Sequence, residues 1–410
     1  MSAPSPKSHE AAAGPLRVLN LCTQFAGLGG VESVVRDHHW NDDAHGLDSR
    51  FCVFWEPSQP GWDHARFLDF SDALTIRTAR RRFRDGIAGF DPQLVVWHTV
   101  WGWPYLDDLA GSSAARVLFL HSDTPGLAAQ LATRAWWADG FACVNDRLVQ
   151  RVRDARPDIA PERIHRVHYP VDPPIPLPSS DREVGDPLVI GFCGRLDFEQ
   201  KRVDRIPELV EQLGRSGIRF RMEFLGDGPK RGWLQERLTD SSRFVFHGRK
   251  SGREYWETLS SWDALFFVSD YEGTPIALLE AMTCGVVPIH PGIGSGGDQY
   301  SAQVDPTLVY PAGDIATLAS RLVQLSRDGG SIRKLRARSA EVVAGHAAHR
   351  YREAMAEFQR RIALLPRLET RPLTGRPFPT DWLSFGAIRR LMDWKRRRGQ
   401  TVSEAPPSPR

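Results

Sequence analysis

The sequence predicts an α/β protein of two consecutive doubly wound domains, and three features carry that prediction. The chain has 410 residues, too many for one ordinary hydrophobic core, so two domains of roughly 150–200 residues are expected. Short apolar runs alternate with helical stretches, which is the pattern of buried parallel strands joined by helices. The alternation then breaks at a proline-rich polar segment, YPVDPPIPLPSSDREVGDP, and starts again after it.

In chain order, Met1–Pro15 is rich in Ala, Ser and Pro without a hydrophobic signal core, and reads as a disordered leader. Strands are predicted at Arg17–Thr23, Phe51–Trp55, Leu94–His98, Arg116–His121 and Gly140–Val144, giving a first Rossmann-like domain over 16–170. Residues 171–187 form the linker. A second Rossmann-like domain over 188–345 has predicted strands at Leu188–Cys193, Arg219–Leu225, Phe244–His247, Ala264–Val268 and Val286–His290. Its predicted helices lie at 203–215, 229–238, 252–261 and 275–283, and 314–363 is helical. Within that stretch, 346–365 is expected to return to the first domain, and 366–410 to be a basic, partly disordered tail.

Composition narrows the class. Apolar residues make up 41% and charged residues 25%, with a formal charge of +3. This is an ordinary globular balance and gives no sign of a nucleic-acid partner. The five cysteines are scattered without metal-type spacing, which favours reduced core thiols in a cytoplasmic protein. No run approaches the ~20 apolar residues of a membrane span.

In an open parallel sheet, ligands bind beyond the carboxyl ends of the strands. Two such domains facing one another place both sets of strand ends on a shared cleft. The most informative segment there is SDYEGTPIALLEAMTCGVVP, residues 269–288. Thr274 suits an N-cap and Pro275 a first helical position, so a helix is expected to start there with its N–H groups exposed to an anion. A nucleotide sugar could then lie across the helix start. Glu272 would meet sugar hydroxyls, the segment Gly273, Thr274, Pro275 and Ile276 the diphosphate through its free N–H groups (Pro275 has none), and Glu280 the ribose diol. Glu272 equally suits a first-turn acid and Glu280 a solvated face. In GFCGRLDFEQKRVD (191–204) two cations, Arg195 and Lys201, follow a buried strand. A phosphoryl leaving group requires such charge, though surface charge in a long loop reads the same way.

Together, GRLDFEQKRVD, FLGDGP (224–229), FHGRK (246–250) and EGTPIALLEAMTCG (272–285) resemble retaining glycosyltransferase family 4. The resemblance implies a GT-B fold, a nucleoside diphosphate sugar donor and a glycan or lipid-linked acceptor in surface polysaccharide or glycolipid assembly. It implies no obligatory metal, with Arg195, Lys201 and the helix N-terminus neutralising the leaving group. The family's glutamate pair matches Glu272 and Glu280. Its Gly-Gly-x-Glu loop, near the donor phosphate and the acceptor, matches Gly29, Gly30 and Glu32. His121, ending VLFLH, takes the place of a histidine that contacts the donor sugar, although a His bonding a turn carbonyl fits as well. The mechanism implied is front-face displacement, the donor phosphate taking the acceptor proton.

Two segments depart from the family pattern. Relatives often carry Asn-Gly-Val-Asp where this chain has YPVDPP, and PGIGSGGDQY (291–300) lacks the usual terminal Glu, which leaves donor identity open. Trp101 and Trp103 in WHTVWGWPY can stack on acceptor sugars or fill the core. In DWLSFGAIRRLMDWKRRR (381–398), Trp382, Phe385, Ile388 and Met392 share one helical face ahead of a basic run. That segment suits an anionic membrane at the inner face, or docking on the protein body. A rival reading takes Gly27–Gly30 as a dinucleotide turn of an oxidoreductase or epimerase, with Glu56 as ribose ligand.

Overall fold

A computed structural model describes residues 14–27, 29–98, 106, 113–134, 137–173, 186–368 and 382–397. Two parallel sheets organise it. The first contains β1 (Leu16–Cys22), β2 (Leu47–Val53), β3 (Ala65–Phe67), β4 (Leu94–Trp97), β5 (Ala115–Leu120), β6 (Gly140–Cys143) and β7 (Ile164–Arg166), in the spatial order 3-2-1-4-5-6-7. The second contains β8 (Leu188–Cys193), β9 (Phe220–Leu225), β10 (Phe244–Gly248), β11 (Ala264–Phe266), β12 (Val287–Gly292) and β13 (Val309–Pro311), in the order 10-9-8-11-12-13. Every pairing is parallel, and the inner strands are largely buried on both faces, β4, β5 and β6 along their whole length. That is why they read as continuous apolar runs.

Helices of the first half are α1 (Gly30–Asn41), α2 (Ile76–Ile87), α3 (Leu127–Arg134) and α4 (Asp146–Ala155). Those of the second are α5 (Ile206–Arg215), α6 (Arg231–Gln235), α7 (Gly252–Ser260), α8 (Ile276–Thr283), α9 (Gly296–Val304), α10 (Ile315–Arg327) and α11 (Gly329–Val343). They are followed by α12 (Ala348–Leu364) and α13 (Phe385–Arg397). The stretch read simply as helical over 314–363 is thus three helices.

Short edge strands β3, β7 and β13 were not predicted. Each has only three residues and is partly exposed, and β3 and β7 carry Arg66, His165 and Arg166, so none presents a run long enough to read as a buried strand. In β8 the glycine at 191 is required by packing. A Cβ there would stand 1.9 Å from the ring of Trp262, which is fully buried against the sheet.

After α11 the chain returns to the first half. The Tyr351 hydroxyl meets His38 Nε2 at 2.8 Å, Arg352 binds Asp37 through Nε and Nη2, and Ile362 packs over Gly140. Within 366–410, the amphipathic segment expected at 381–398 carries the helix α13. α13 docks on the first half through Phe385 and Ile388, both buried, with Phe385 against Trp55 and Phe70. Backbone bonds Ile76 N to Leu383 O (3.0 Å) and Phe385 N to Leu74 O (3.0 Å) tie its start to α2.

Candidate active site between the two sheets

The carboxyl ends of β1, β5 and β6 face those of β8, β11 and β12, and the loops after them touch. The segment Glu272–Thr274, after β11, lies against the first domain. Gly273 forms an antiparallel bridge with Ser122, and Asn145 Nδ2 donates to its carbonyl at 3.1 Å. Thr274 Oγ1 donates to the carbonyl of Val144 at 2.5 Å. A Cβ on Gly273 would stand 1.8 Å from the carbonyl oxygen of His121, so only glycine permits this approach.

These contacts correct the expected helix start. Thr274 does not cap α8, because its hydroxyl is spent on the first domain. Pro275 is the N-cap, with φ −64° and ψ 118°, and Ile276 begins the helix. Ile276 in turn lies within 3.2 Å of where a Cβ on Gly30 would be, so the N-termini of α1 and α8 come together. Glu32, at the third position of α1, folds back over Gly27 and Gly29. Burial raises its carboxyl above the usual range, while Arg36 and Arg195 pull it down.

Both predicted cations are present beside these helix starts. Lys201 Nζ donates to Glu272 Oε1 at 2.6 Å, and Glu272 is buried. Gln200 Nε2 donates to the other carboxylate oxygen at 3.3 Å. Arg195 is held by Asp197 at 2.5 Å, with 40% of its side chain exposed to the cleft. Asp197 also accepts the backbone N–H groups of Gln200 and Lys201 at 2.9 and 2.8 Å, which shapes the loop that carries both cations. Glu280 is not a solvated surface acid. Tyr255 donates its hydroxyl to Glu280 Oε2, and burial pushes the carboxyl up to about 7 against that bond.

The imidazole of His121 is committed on both sides, and the direction of each bond can be followed from Asp42. Ser49 Oγ donates to the Asp42 carboxylate and so accepts from Asn20 Nδ2 at 3.4 Å, which leaves Asn20 Oδ1 to accept from His98 Nε2 at 3.0 Å. Burial holds His98 neutral, so its Nδ1 accepts from His121 Nε2 at 3.1 Å. His121 is itself pushed down to about 3 by burial, with His38 adding to the shift, so its Nδ1 accepts from the Tyr169 hydroxyl at 2.5 Å. The part of His121 that meets the donor-side loop is its carbonyl. A direct contact between its ring and a sugar would require giving up Tyr169 or His98.

Trp101 and Trp103 lie outside the described residues. Residues that sequence reasoning did not single out are Asn145, Gln200, Tyr169, Tyr255, Asn20 and Ser49. Of these only Asn145 carried a local signal, as a cap residue between β6 and α4, where its Oδ1 accepts from Leu148 N at 2.8 Å. The dinucleotide-turn reading gains no support. Glu56 Oε2 accepts from Phe25 N at 2.7 Å and Ala26 N at 3.0 Å, so this carboxylate is spent on the loop itself. Among the described residues, buried Ser122 Oγ, Ser269 Oγ and His290 Nε2 have no protein partner, and all three belong to the strand ends around Glu272. Unpaired buried polar atoms gathered in one place are what a polar ligand would satisfy.

Residues 187–328 match the family described as Glycosyl transferases group 1. A GDP-mannose-dependent alpha-mannosyltransferase of Mycobacterium tuberculosis is 30% identical over 240 residues, or 53% of this chain and 60% of that one. The matches thus span less than two thirds of the length of the curated relatives. Among solved structures, the apo form of the lipopolysaccharide outer core galactosyltransferase WaaB aligns with a TM-score of 0.61 at 20% identity, covering 84% of this chain and 100% of that one. The pneumococcal O-GlcNAc transferase GtfA, in complex with UDP and GlcNAc, aligns with a TM-score of 0.66 at 12% identity, covering 86% and 100%.

Proposed function

With residues 187–328 a Glycosyl transferases group 1 domain on a GT-B scaffold, we propose that the chain is a retaining glycosyltransferase moving a hexose from a UDP- or GDP-sugar to a glycan or lipid-linked acceptor of bacterial surface polysaccharide or glycolipid assembly. One observation carries the reading. The N-termini of α1 and α8 meet where Arg195 and the Lys201–Glu272 pair stand. That convergence of positive charge suits a diphosphate leaving group. Names of relatives agree in kind: one depends on GDP-mannose, and one solved neighbour holds UDP.

In this reading the diphosphate lies over Gly29, Gly30 and the segment Gly273–Ile276, where Pro275 shapes the turn and has no N–H to donate. Arg195 and Lys201 neutralise the charge that develops as the glycosidic oxygen departs, a role that asks for no obligatory metal. Glu272 positions Lys201 and keeps its second carboxylate oxygen near the sugar. Glu280 receives the ribose diol. His121 acts as a positioning residue through the carbonyl that seats Gly273, and Glu32, Trp101 and Trp103 are assigned to the acceptor side. The acceptor hydroxyl attacks the anomeric carbon from the face the diphosphate leaves, and its proton passes to the departing phosphate oxygen.

Glu280 makes the donor site pH-sensitive. A ribose diol donates two O–H groups and therefore favours the ionised carboxylate, whereas burial favours the neutral acid. With its carboxyl at about 7 in the ligand-free protein, affinity for UDP-glucose or GDP-mannose falls by about tenfold between pH 8 and pH 6. The sugar diphosphate itself has no group titrating there. The ligand-free fold responds in the opposite sense. A carboxyl raised from 4.5 to about 7 contributes stability below pH 4.5 that is lost as pH rises through 7. Glu280→Gln should therefore raise melting temperature at pH 8 while flattening the pH profile of donor affinity. Calorimetric titration of UDP- and GDP-sugars against both proteins reads this directly. Equal affinity at pH 6 and 8 in the unmodified protein would remove Glu280 from the ribose.

A further inference from the structure

The docked helix α13 buries only the first part of its apolar stripe. Phe385 and Ile388 are buried in the first domain, whereas Leu391 and Trp394, further along the helix where the stripe turns away from the domain, are each 46% exposed. Trp382, just ahead of the helix, is 72% exposed, and Leu383 beside it is exposed as well. Among the described residues, six large apolar side chains are exposed, and four of them lie in this short segment. Such concentration marks an interaction surface rather than the ordinary scatter of apolar groups.

Its border is basic. α2 carries five arginines and a single acid, Asp85. Arg77, Arg81 and Arg84 are exposed at i, i+4 and i+7, so they form one stripe along the outer side of that helix. The stripe begins at the aromatic patch, where the Arg77 guanidinium stacks over the Trp382 ring at 4.7 Å. Arg390 is exposed on the same outer side of α13 as Trp394. The sequence then continues with Lys395, Arg396, Arg397 and Arg398. Asp72 does not neutralise this rim, because it is paired with Arg389 at 2.8 Å.

We infer that the outer face of α13, together with the arginine stripe of α2, is a docking surface for an anionic lipid bilayer. Tryptophans settle at the headgroup level, apolar side chains reach the acyl boundary, and arginines around them meet acidic headgroups. A second protein copy is the less favoured occupant, since two such faces would bring their arginine stripes together. Docking on the protein body through Phe385 and Ile388 leaves Leu391 and the basic rim exposed together. This surface stands independently of the transfer reading, and its test needs no activity.

The test is co-sedimentation of the full chain with phosphatidylcholine vesicles, pure or containing phosphatidylglycerol. The protein should pellet with the anionic vesicles alone and be released by salt. Arg81→Glu with Arg84→Glu should lower the partition coefficient on the order of tenfold or more. Leu391→Ser with Trp394→Ser should lower it on the order of tenfold. All four side chains are exposed, so both variants should keep the native melting temperature, which is checked in parallel. Three results would overturn the inference: no pelleting with either vesicle, equal pelleting of the variants, or concentration-dependent dimerisation abolished by the Leu391 and Trp394 changes.

Discussion

Lys201→Met lowers turnover by about 10²–10³-fold, the size expected when one charge aimed at a developing anion is removed. Lys201 is paired with Glu272 at 2.6 Å, with only 14% and 5% of the two side chains exposed. In the ligand-free protein each neutralises the other, and a diphosphate arriving beside Arg195 recruits the lysine. Removing it strips charge from the leaving group and also leaves Glu272 buried without its cation, which costs the fold about 3–5 kcal/mol. These effects separate in the double variant Lys201→Met, Glu272→Gln. The fold should recover because no unpaired buried charge remains, while turnover stays low. Turnover of native order in that variant, measured per folded molecule, would make the pair a structural bridge and nothing more.

Gly273→Ala is expected to abolish docking between the domains' loops, with donor affinity and turnover each falling by about 10²-fold, as for catalytic groups displaced by about 1 Å. The added Cβ would meet a backbone carbonyl, that of His121, which has no rotamer to change. The loop must withdraw, and with it go the Asn145 bond, the bridge to Ser122 and the bond from Gly296 N to Gly273 O at 2.7 Å. Asn145→Ser is the graded control, because serine caps α4 as well as asparagine but cannot reach Gly273 with an amide. Its loss should be near fivefold, as for one hydrogen bond. Donor titration and small-angle scattering of the three proteins measure both consequences. Native affinity in Gly273→Ala would show that the closed contact is not needed for donor binding.

The fold class was legible because strands buried on both faces read as apolar runs: β4 and β8 are apolar throughout, and β1, β5 and β9 nearly so, broken only at Arg17, Asn20, Arg116, Arg221 and Glu223. Edge strands β3, β7 and β13 were illegible for the same reason: half-exposed, they need no such run. At the candidate site, Arg195, Lys201, Glu272 and Glu280 could be singled out because each sits in a local segment whose geometry a strand and a helix start define. Their partners could not. Tyr255 meets Glu280 across 25 residues and Asn145 meets Gly273 across 128, and no local pattern encodes either pairing. The departure from Asn-Gly-Val-Asp at YPVDPP has a structural counterpart, since it is Tyr169 that occupies His121 Nδ1. Thr274 shows how tertiary contact overrides a local signal: its sequence reads as a cap, and its hydroxyl is drawn to Val144 instead.

The most direct test of the account is transfer itself. The protein is incubated in EDTA with UDP- or GDP-hexoses and octyl glycoside acceptors, with phosphorus NMR following release of the nucleoside diphosphate and proton NMR reading the new anomeric centre. The account predicts release with one of the two nucleotides and a product that keeps the donor's anomeric configuration. An inverted product, or consumption of neither sugar nucleotide while a nicotinamide cofactor binds and turns over, would contradict it.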